Sequence, residues 1–272
     1  MLIDTAASTY VSLSLIEPLS FPKADKEFRD TSVAQLAGLF QKVIDELGVQ
    51  RLAEIGARAA EASVAFCRSG EHRTALAFEA NPVTFERYTP RLARFDRLEY
   101  RNLAITPQCG PVTINIPNPD RPMSGDVSLL TRVGARQGNA REVQVAGHTL
   151  SCVTHEHCDA LDHGSQGGFG AFWIDVEGLS REVLNSSTHA LKATEASVVF
   201  IELEDVPFWD GQALAGDIFS QLAGLGYVAV ARDFQRDTQF NALFVREHLL
   251  GNVMRFVKPY WRDLTLAYTS RL

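Results

Sequence analysis

From residue 50 onward, short apolar runs alternate with longer segments whose apolar residues recur every three or four positions. "RLAEIG" reads as a strand ending at Gly56, and the Ala-rich "ARAAEASVAFCRSG" as a helix ending at Gly70. "RTALAFEANP" is a strand stopped by Pro82, and "VTFERYTPRLARF" opens the next helix. "LEYRNLAIT" is a third strand; "GAFWIDVEG" is a fourth, followed by the helix "SREVLNSSTHALK". "SVVFIELED" is a strand and "GQALAGDIFSQLAGLG" a helix, and "YVAVARD" and "NALFVRE" are the closing strands. Before this series, Val33, Leu36, Leu39, Phe40, Val43, Ile44 and Leu47 fall on one helical face. Asp30, Thr31 and Ser32 offer oxygens to cap that helix, and Gly48 ends it. Residues 1–30 carry Pro18 and Pro22 and no period, and are expected to form an N-terminal arm or strand extension.

Strands alternating with helices predict an α/β fold. Right-handed crossovers give a mostly parallel sheet with helices on both faces. The short turn "FQRDTQF" between the last two strands predicts an antiparallel hairpin at the sheet edge. The rhythm breaks at about 107–150. "CGPVTINIPNPDRPMSGDVSLL" is rich in Pro and Gly, and "REVQVAGHTL" looks like strand. This region reads as inserted loops with short strands, not as a second domain.

An open parallel sheet binds ligands outside the carboxyl ends of its strands. Those ends carry Glu54, Gly56, Glu79, Asp175, Glu177, Glu202, Glu204 and Asp205, an acidic rim without a lysine. "EIGARAAEAS" has one glycine in the first strand-to-helix turn and lacks the later glycines of G-x-G-x-x-G. A diphosphate needs those close amides and a cationic setting. A single glycine beside Glu54 suits a nucleoside without phosphates, and Glu79 can accept both ribose hydroxyls. Taken alone, the same two residues are equally a tight-turn glycine and a solvated acid.

"AEIGARAAEASVAF", "ALAFEANPVTFERY", "YRNLAIT" and "FWIDVEGLSREVLNSS" occur in an order and spacing that resemble the FkbM-type family of S-adenosylmethionine-dependent methyltransferases. The likeness runs from about residue 50 to about 205, and "IDVEG" followed by "REVL" is its most specific piece. It implies a class I, Rossmann-like methyltransferase domain over 31–272 with a seven-stranded sheet. The implied cofactor is S-adenosyl-L-methionine, and the implied reaction is O-methylation of a hydroxyl on a sugar or secondary metabolite. By position, Glu54, Gly56 and Ala57 would line the methionine part, Glu79 would hold the ribose, and Asn102, Leu103 and Ala104 would flank the adenine. Asp175 would face the methyl-transfer site, next to the cofactor, and Glu177 would contact the acceptor. Arg58 stands where the family usually has Asn, Ala60 where it has glycine, and Trp173 where it often has a basic residue.

"VTHEHCDALDHG" packs His155, Glu156, His157, Cys158, Asp159, Asp162 and His163 together. It approaches the H-x-H-x-D-H signature of two-metal hydrolases, but Ala160 takes the last ligand's place. Three readings stay open. The cluster is a solvated segment before the "FWIDVEG" strand; or it borders the acceptor pocket with His155 or His157 as general base; or it binds a divalent metal through His155, His157, Asp159 and His163 and makes the chain a hydrolase. The favoured reading assigns no metal. A methyltransferase-like module that binds without catalysis is the remaining alternative.

The formal charge is -7 and no basic run is present, which excludes a nucleic-acid surface built on clustered Lys and Arg. The charge fits a small or neutral substrate, and the family resemblance implies a small-molecule or glycan acceptor. No apolar window is long enough for a membrane span. The N-terminus lacks the basic start of a signal peptide, and the four cysteines show no C-x-x-C spacing. A reducing cytoplasm with free thiols is expected, with the N-terminal arm available for a homodimer exchange.

Overall fold

The computed structural model describes residues 25–116, 118, 120, 122, 123, 127–134, 140–153, 168–193 and 195–269. Most of the expected arm and the whole cluster from His155 to His163 lie outside them. The strands of the main sheet are β1 (Arg51–Ile55), β2 (Thr74–Phe78), β3 (Leu98–Arg101), β7 (Ala171–Ile174), β8 (Val198–Glu204), β9 (Tyr227–Arg232) and β10 (Gln239–Arg246). Their order is β3-β2-β1-β7-β8-β10-β9. β1 runs parallel to β2 and β7, and β2 parallel to β3. β10 is antiparallel to both β8 and β9. This is the seven-stranded, mostly parallel sheet that the strand–helix alternation predicts. β9 and β10 form the antiparallel hairpin expected at the sheet edge, with β10 on its inner side between β8 and β9.

The chain forms two compact units, one of Gln50–Ala196 with Pro207–Ala213, the other of Met1–Val49, Ser197–Val206 and Leu214–Leu272. In the second, α1 (Lys26–Glu46) starts within the stretch expected as an arm. Its cap is Asp25, whose Oδ1 accepts from Phe28 N at 2.8 Å, and not one of Asp30 to Ser32. Leu36, Leu39, Phe40, Val43 and Ile44 are buried, as their spacing requires. Phe40 meets Phe200 of β8 edge to face at 5.7 Å. All seven residues of β8 are buried, including Glu202 and Glu204, two members of the acidic rim expected at the strand ends. α6 (Ala215–Gly224) leads to β9, and α7 (Leu250–Thr269) follows β10. α7 was not expected, because Gly251, Pro259 and scattered aromatics blur its period.

In the other unit, α2 (Glu61–Arg68) joins β1 to β2 and α3 (Pro82–Leu92) joins β2 to β3. The expected single strand "LEYRNLAIT" splits in two. β3 stays in the main sheet, while β4 (Ala104–Ile105) pairs with β6 (Arg141–His148), which is antiparallel to β5 (Gly110–Ile116). The interruption at 107–150 thus contains most of a three-stranded sheet of order β4-β6-β5. Ala104, Ile114 and Val145 form its apolar core. After β7, the expected single helix is two, α4 (Ser180–Ser186) and α5 (Thr188–Lys192).

Candidate cofactor site

Three parallel strands end side by side. Ile55 is level with Phe78 of β2 and with Ile174 of β7, so Gly56, Glu79 and Asp175 are the next residues out on neighbouring strands. β1 lies between β2 on one side and β7 on the other, the place where the chain reverses its direction of winding. The amides of Gly56 and Ala57 both donate to Phe78 O, at 3.0 and 2.8 Å, and Asp175 N donates to Ile55 O at 2.9 Å. The turn after β1 is therefore laced to both neighbours.

Gly56 has φ +82°. A Cβ built there would sit 1.7 Å from the carbonyl oxygen of Asp175. No side chain fits, so this glycine is required by close backbone approach as well as by its dihedral. Arg58 and Ala60 are also left-handed, at φ 44° and 50°. They keep the conformation that asparagine and glycine would adopt more easily at those positions, and the surroundings hold them there. Arg58 N donates to Glu79 Oε2 at 2.8 Å, and Tyr100 Oη donates to Arg58 O at 2.5 Å. Ala60 N donates to Ala57 O at 2.5 Å.

Glu79 is buried and works as a clamp. Its other oxygen, Oε1, accepts from Asn81 N at 2.7 Å. One carboxylate thus ties the β1–α2 turn to the start of α3. Burial raises its affinity for a proton, opposed by those two amides. Each oxygen has a lone pair left for a ligand hydroxyl. Asn81 caps α3 by accepting from Val83 N and donates through Nδ2 to Pro122 O at 2.6 Å. Asn102 Nδ2 donates to the carbonyls of Glu79 and Ala80 at 2.8 and 3.1 Å. It fixes the backbone at the β2 tip. Leu103 and Ala104 are buried, and Ala104 belongs to the small-sheet core.

Glu54 is buried within β1, and its Oε2 accepts from Ser63 N at 2.7 Å. The cap residue of α2 is Ala60, which offers no side-chain acceptor, so Glu54 supplies one from the strand beneath. Its carboxyl pKa is raised to about 7, mainly by burial; the amides of Ala62 and Ser63 oppose the rise and the Asp175 charge adds to it. The folded carboxyl therefore keeps its proton up to about pH 7, whereas the unfolded one loses it near 4.5. Between those values the folded state binds more protons, so stability falls as pH rises. Urea unfolding at pH 5 and pH 8 should show this loss, on the order of 2 kcal/mol, in the native protein and not in Glu54→Gln. Equal pH dependence in both would remove Glu54 as its source.

Asp175 is exposed and Glu177 half-buried. Glu177 O accepts from Ser128 Oγ at 2.6 Å, and Gly178, at φ +78°, lies against Trp209. The structure thus brings Glu54, Gly56, Ala57, Glu79, Asn102 and Asp175 to one end of the sheet. Tyr100, Asn81 and Ser63 join them and were not anticipated. Tyr100 could have been, since "EYRN" places it one strand beyond Glu79. Among the described residues no group of His, Cys, Asp and Glu forms a metal cluster. His155 and His157 lie outside the described residues. The donor set suits a cationic nucleoside: the Glu79 and Asp175 carboxylates, the buried Glu54 carboxyl and a glycine turn, with Arg58 as the loop's own cation and no second glycine to admit a diphosphate.

A family model described as "Methyltransferase FkbM domain" matches residues 53–229, well over half of the chain. No curated protein matches. Among solved structures, precorrin-6y C5,15-methyltransferase from Geobacter metallireducens GS-15 is 12% identical, with a TM-score of 0.39 over 75% of this chain and 84% of that one. The N-terminal domain of EvdMO1 with SAH bound is 13% identical, with a TM-score of 0.39 over 77% and 79%. M. capricolum TrmK in complex with S-adenosyl-homocysteine is 8% identical, with a TM-score of 0.37 over 73% and 62%.

Proposed function

Because the chain belongs to the FkbM methyltransferase family, whose cofactor is S-adenosylmethionine, we propose that it O-methylates a hydroxyl of a sugar or secondary metabolite. The observation that carries this reading is the alignment of Gly56, Glu79 and Asp175 on adjacent parallel strand ends. Glu54, Gly56 and Ala57 would hold the methionine part of the cofactor, Glu79 the ribose, and Asn102 with Leu103 and Ala104 the adenine edge. When bound, the cofactor supplies a methyl group activated by its sulfonium charge.

This chain's residues then have three tasks. The carboxylates of Glu79 and Asp175 favour a cation at the sheet end, although Glu54 contributes a full charge only above about pH 7. The laced β1–α2 turn holds its backbone without further reorganisation, which matters because alignment of reactants can supply roughly 7–11 kcal/mol of a displacement barrier. Asp175, exposed at the tip of β7 beside Gly56, would orient the acceptor hydroxyl and hold its proton on a carboxylate oxygen. Glu177 lies two residues further on and would contact the rest of the acceptor. His155 and His157 are the other candidates for proton removal.

The test is a pair of measurements. S-adenosylhomocysteine should raise the melting temperature by mass action, since it binds only the folded chain. Labelled S-adenosylmethionine should then transfer its methyl to hydroxylated acceptors. Asp175→Asn should keep the melting shift and lower turnover about a hundredfold, the low end of what a proton-handling group supplies. A shift without turnover on any acceptor would make the chain a binding module. No shift at all would sink the cofactor site.

A further inference from the structure

Cys109 and Cys152 lie far apart in the sequence, yet their sulfurs are 3.2 Å apart and both side chains are exposed. We propose that they form a site of reversible disulfide formation, independent of the methyl-transfer reading.

Several backbone features bring the pair together. Gly110, directly after Cys109, is level with Gly147 of β6. A Cβ on Gly147 would be 2.9 Å from Gly110 O and 2.8 Å from Thr106 Oγ1, so the two strands approach as only glycine allows. Thr106 N donates to His148 O at 2.9 Å, and Thr106 Oγ1 donates to Gln108 O at 2.8 Å. These bonds fix the turn that ends in Cys109 against the end of β6. On the other side, Thr149 Oγ1 accepts from Cys152 N at 3.1 Å and starts the helical turn Leu150–Val153. Leu150 and Val153 are fully buried beneath it, which turns Cys152 outward over the start of β5. Both thiols are thus placed by hydrogen-bonded backbone, and their 3.2 Å separation must close to a bond of about 2.05 Å. Cys67 is buried and takes no part.

The oxidant is a low-molecular-weight disulfide such as oxidised glutathione. The thiolate of one cysteine attacks it and expels one glutathione thiolate, leaving a mixed disulfide. The thiolate of the second cysteine attacks the protein-bound sulfur and expels the other. Two protein thiols and one small disulfide become one protein disulfide and two small thiols, which carry away both protons. Excess reduced glutathione or dithiothreitol reverses the exchange.

The experiment treats the full chain with oxidised glutathione, blocks remaining thiols by alkylation, and maps peptides by mass spectrometry. The expected product links the Cys109 and Cys152 peptides and disappears after dithiothreitol. Cys158→Ser should still form it, while C109S and C152S should not. The oxidised native chain should melt roughly 5–10 °C above the reduced one, because the bond closes a long loop in the unfolded state. C109S should show no such oxidant-dependent shift. The proposal is overturned if Cys109 and Cys152 are recovered separately alkylated or singly glutathionylated, or if Cys158 replaces either in the linked product. Testing C158S alongside keeps these outcomes separable even if one cysteine variant folds poorly.

Discussion

Gly56→Ala should weaken cofactor binding more than a hundredfold and cost the fold at least about 3 kcal/mol. Two costs combine. An L-residue held at φ +82° carries strain of about 1–2 kcal/mol. The added methyl would also lie 1.7 Å from Asp175 O and 2.7 Å from Asp175 C, both backbone atoms. A clash with the end of a flexible side chain could be relieved by a rotamer change. This one can be relieved only by separating the ends of β1 and β7, which breaks the bond from Asp175 N to Ile55 O. The strand end displaced is the one that carries Asp175, so the loss of geometry reaches the proposed reaction centre. Urea unfolding should show the stability loss, and calorimetry with S-adenosylhomocysteine should show affinity reduced more than a hundredfold. Gly38→Ala is the control. Gly38 lies in α1 with nothing within 4 Å of its added Cβ, and the change should be neutral or slightly stabilising. If Gly56→Ala binds the ligand as the native chain does, the turn after β1 is not where the cofactor lies.

The β1 turn was readable from sequence because one residue type answers two local demands. Gly56 ends an apolar run and opens a helix, and in a parallel sheet that junction is where ligands sit. Glu79 was readable for the same reason, one strand over. The partners of these residues were not readable. Sequence gives no sign that Glu79 accepts from Arg58 and Asn81, because both donors are backbone amides and every residue except proline has one. Glu54 looked like a ligand contact, but it also caps α2, a task it takes over because Ala60 has no acceptor. Arg58 and Ala60 stand where the family usually has Asn and glycine, yet the backbone keeps the left-handed path. Tertiary bonds from Glu79 and Tyr100 override the local preference there. "LEYRNLAIT" read as one strand because its apolar pattern is continuous; only pairing shows that Arg101 ends its run in one sheet and Ala104 begins a run in another. Glu202 and Glu204 read as members of an open rim because acids are usually exposed, whereas β8 is buried along its whole length. The Cys109–Cys152 contact depends on the small sheet's register, which a Pro- and Gly-rich stretch does not announce.

Glu79→Ala should lower both stability and cofactor affinity, and the two losses can be separated. Removing the carboxylate leaves Asn81 N without its acceptor in a buried place and Arg58 N without its acceptor in a part-buried one. Each orphaned amide costs about 1–3 kcal/mol, so the ligand-free chain should lose on the order of 2–4 kcal/mol of unfolding free energy, with some relief if water enters. A carboxylate that served only as a turn anchor would stop there, and the molecules still folded would bind cofactor through a slackened loop. A carboxylate that also accepts the ribose hydroxyls loses a further charge-assisted pair of hydrogen bonds, about 1.5–3 kcal/mol of binding, or roughly ten- to a hundredfold in affinity. Glu79→Gln divides the two roles. Its single carbonyl oxygen can keep one amide, while its NH₂ faces the other and cannot accept. Stability should then fall by about half as much, but a neutral side chain that turns a donor toward the ribose should bind almost as poorly as alanine. Adenosine and S-adenosylhomocysteine share the ribose, so both should weaken by the same factor in each variant. Methionine, which lacks the ribose, should compete as it does with the native chain. Calorimetric affinity that survives in Glu79→Gln while stability drops would leave Glu79 as a clamp alone and move the ribose to another strand end.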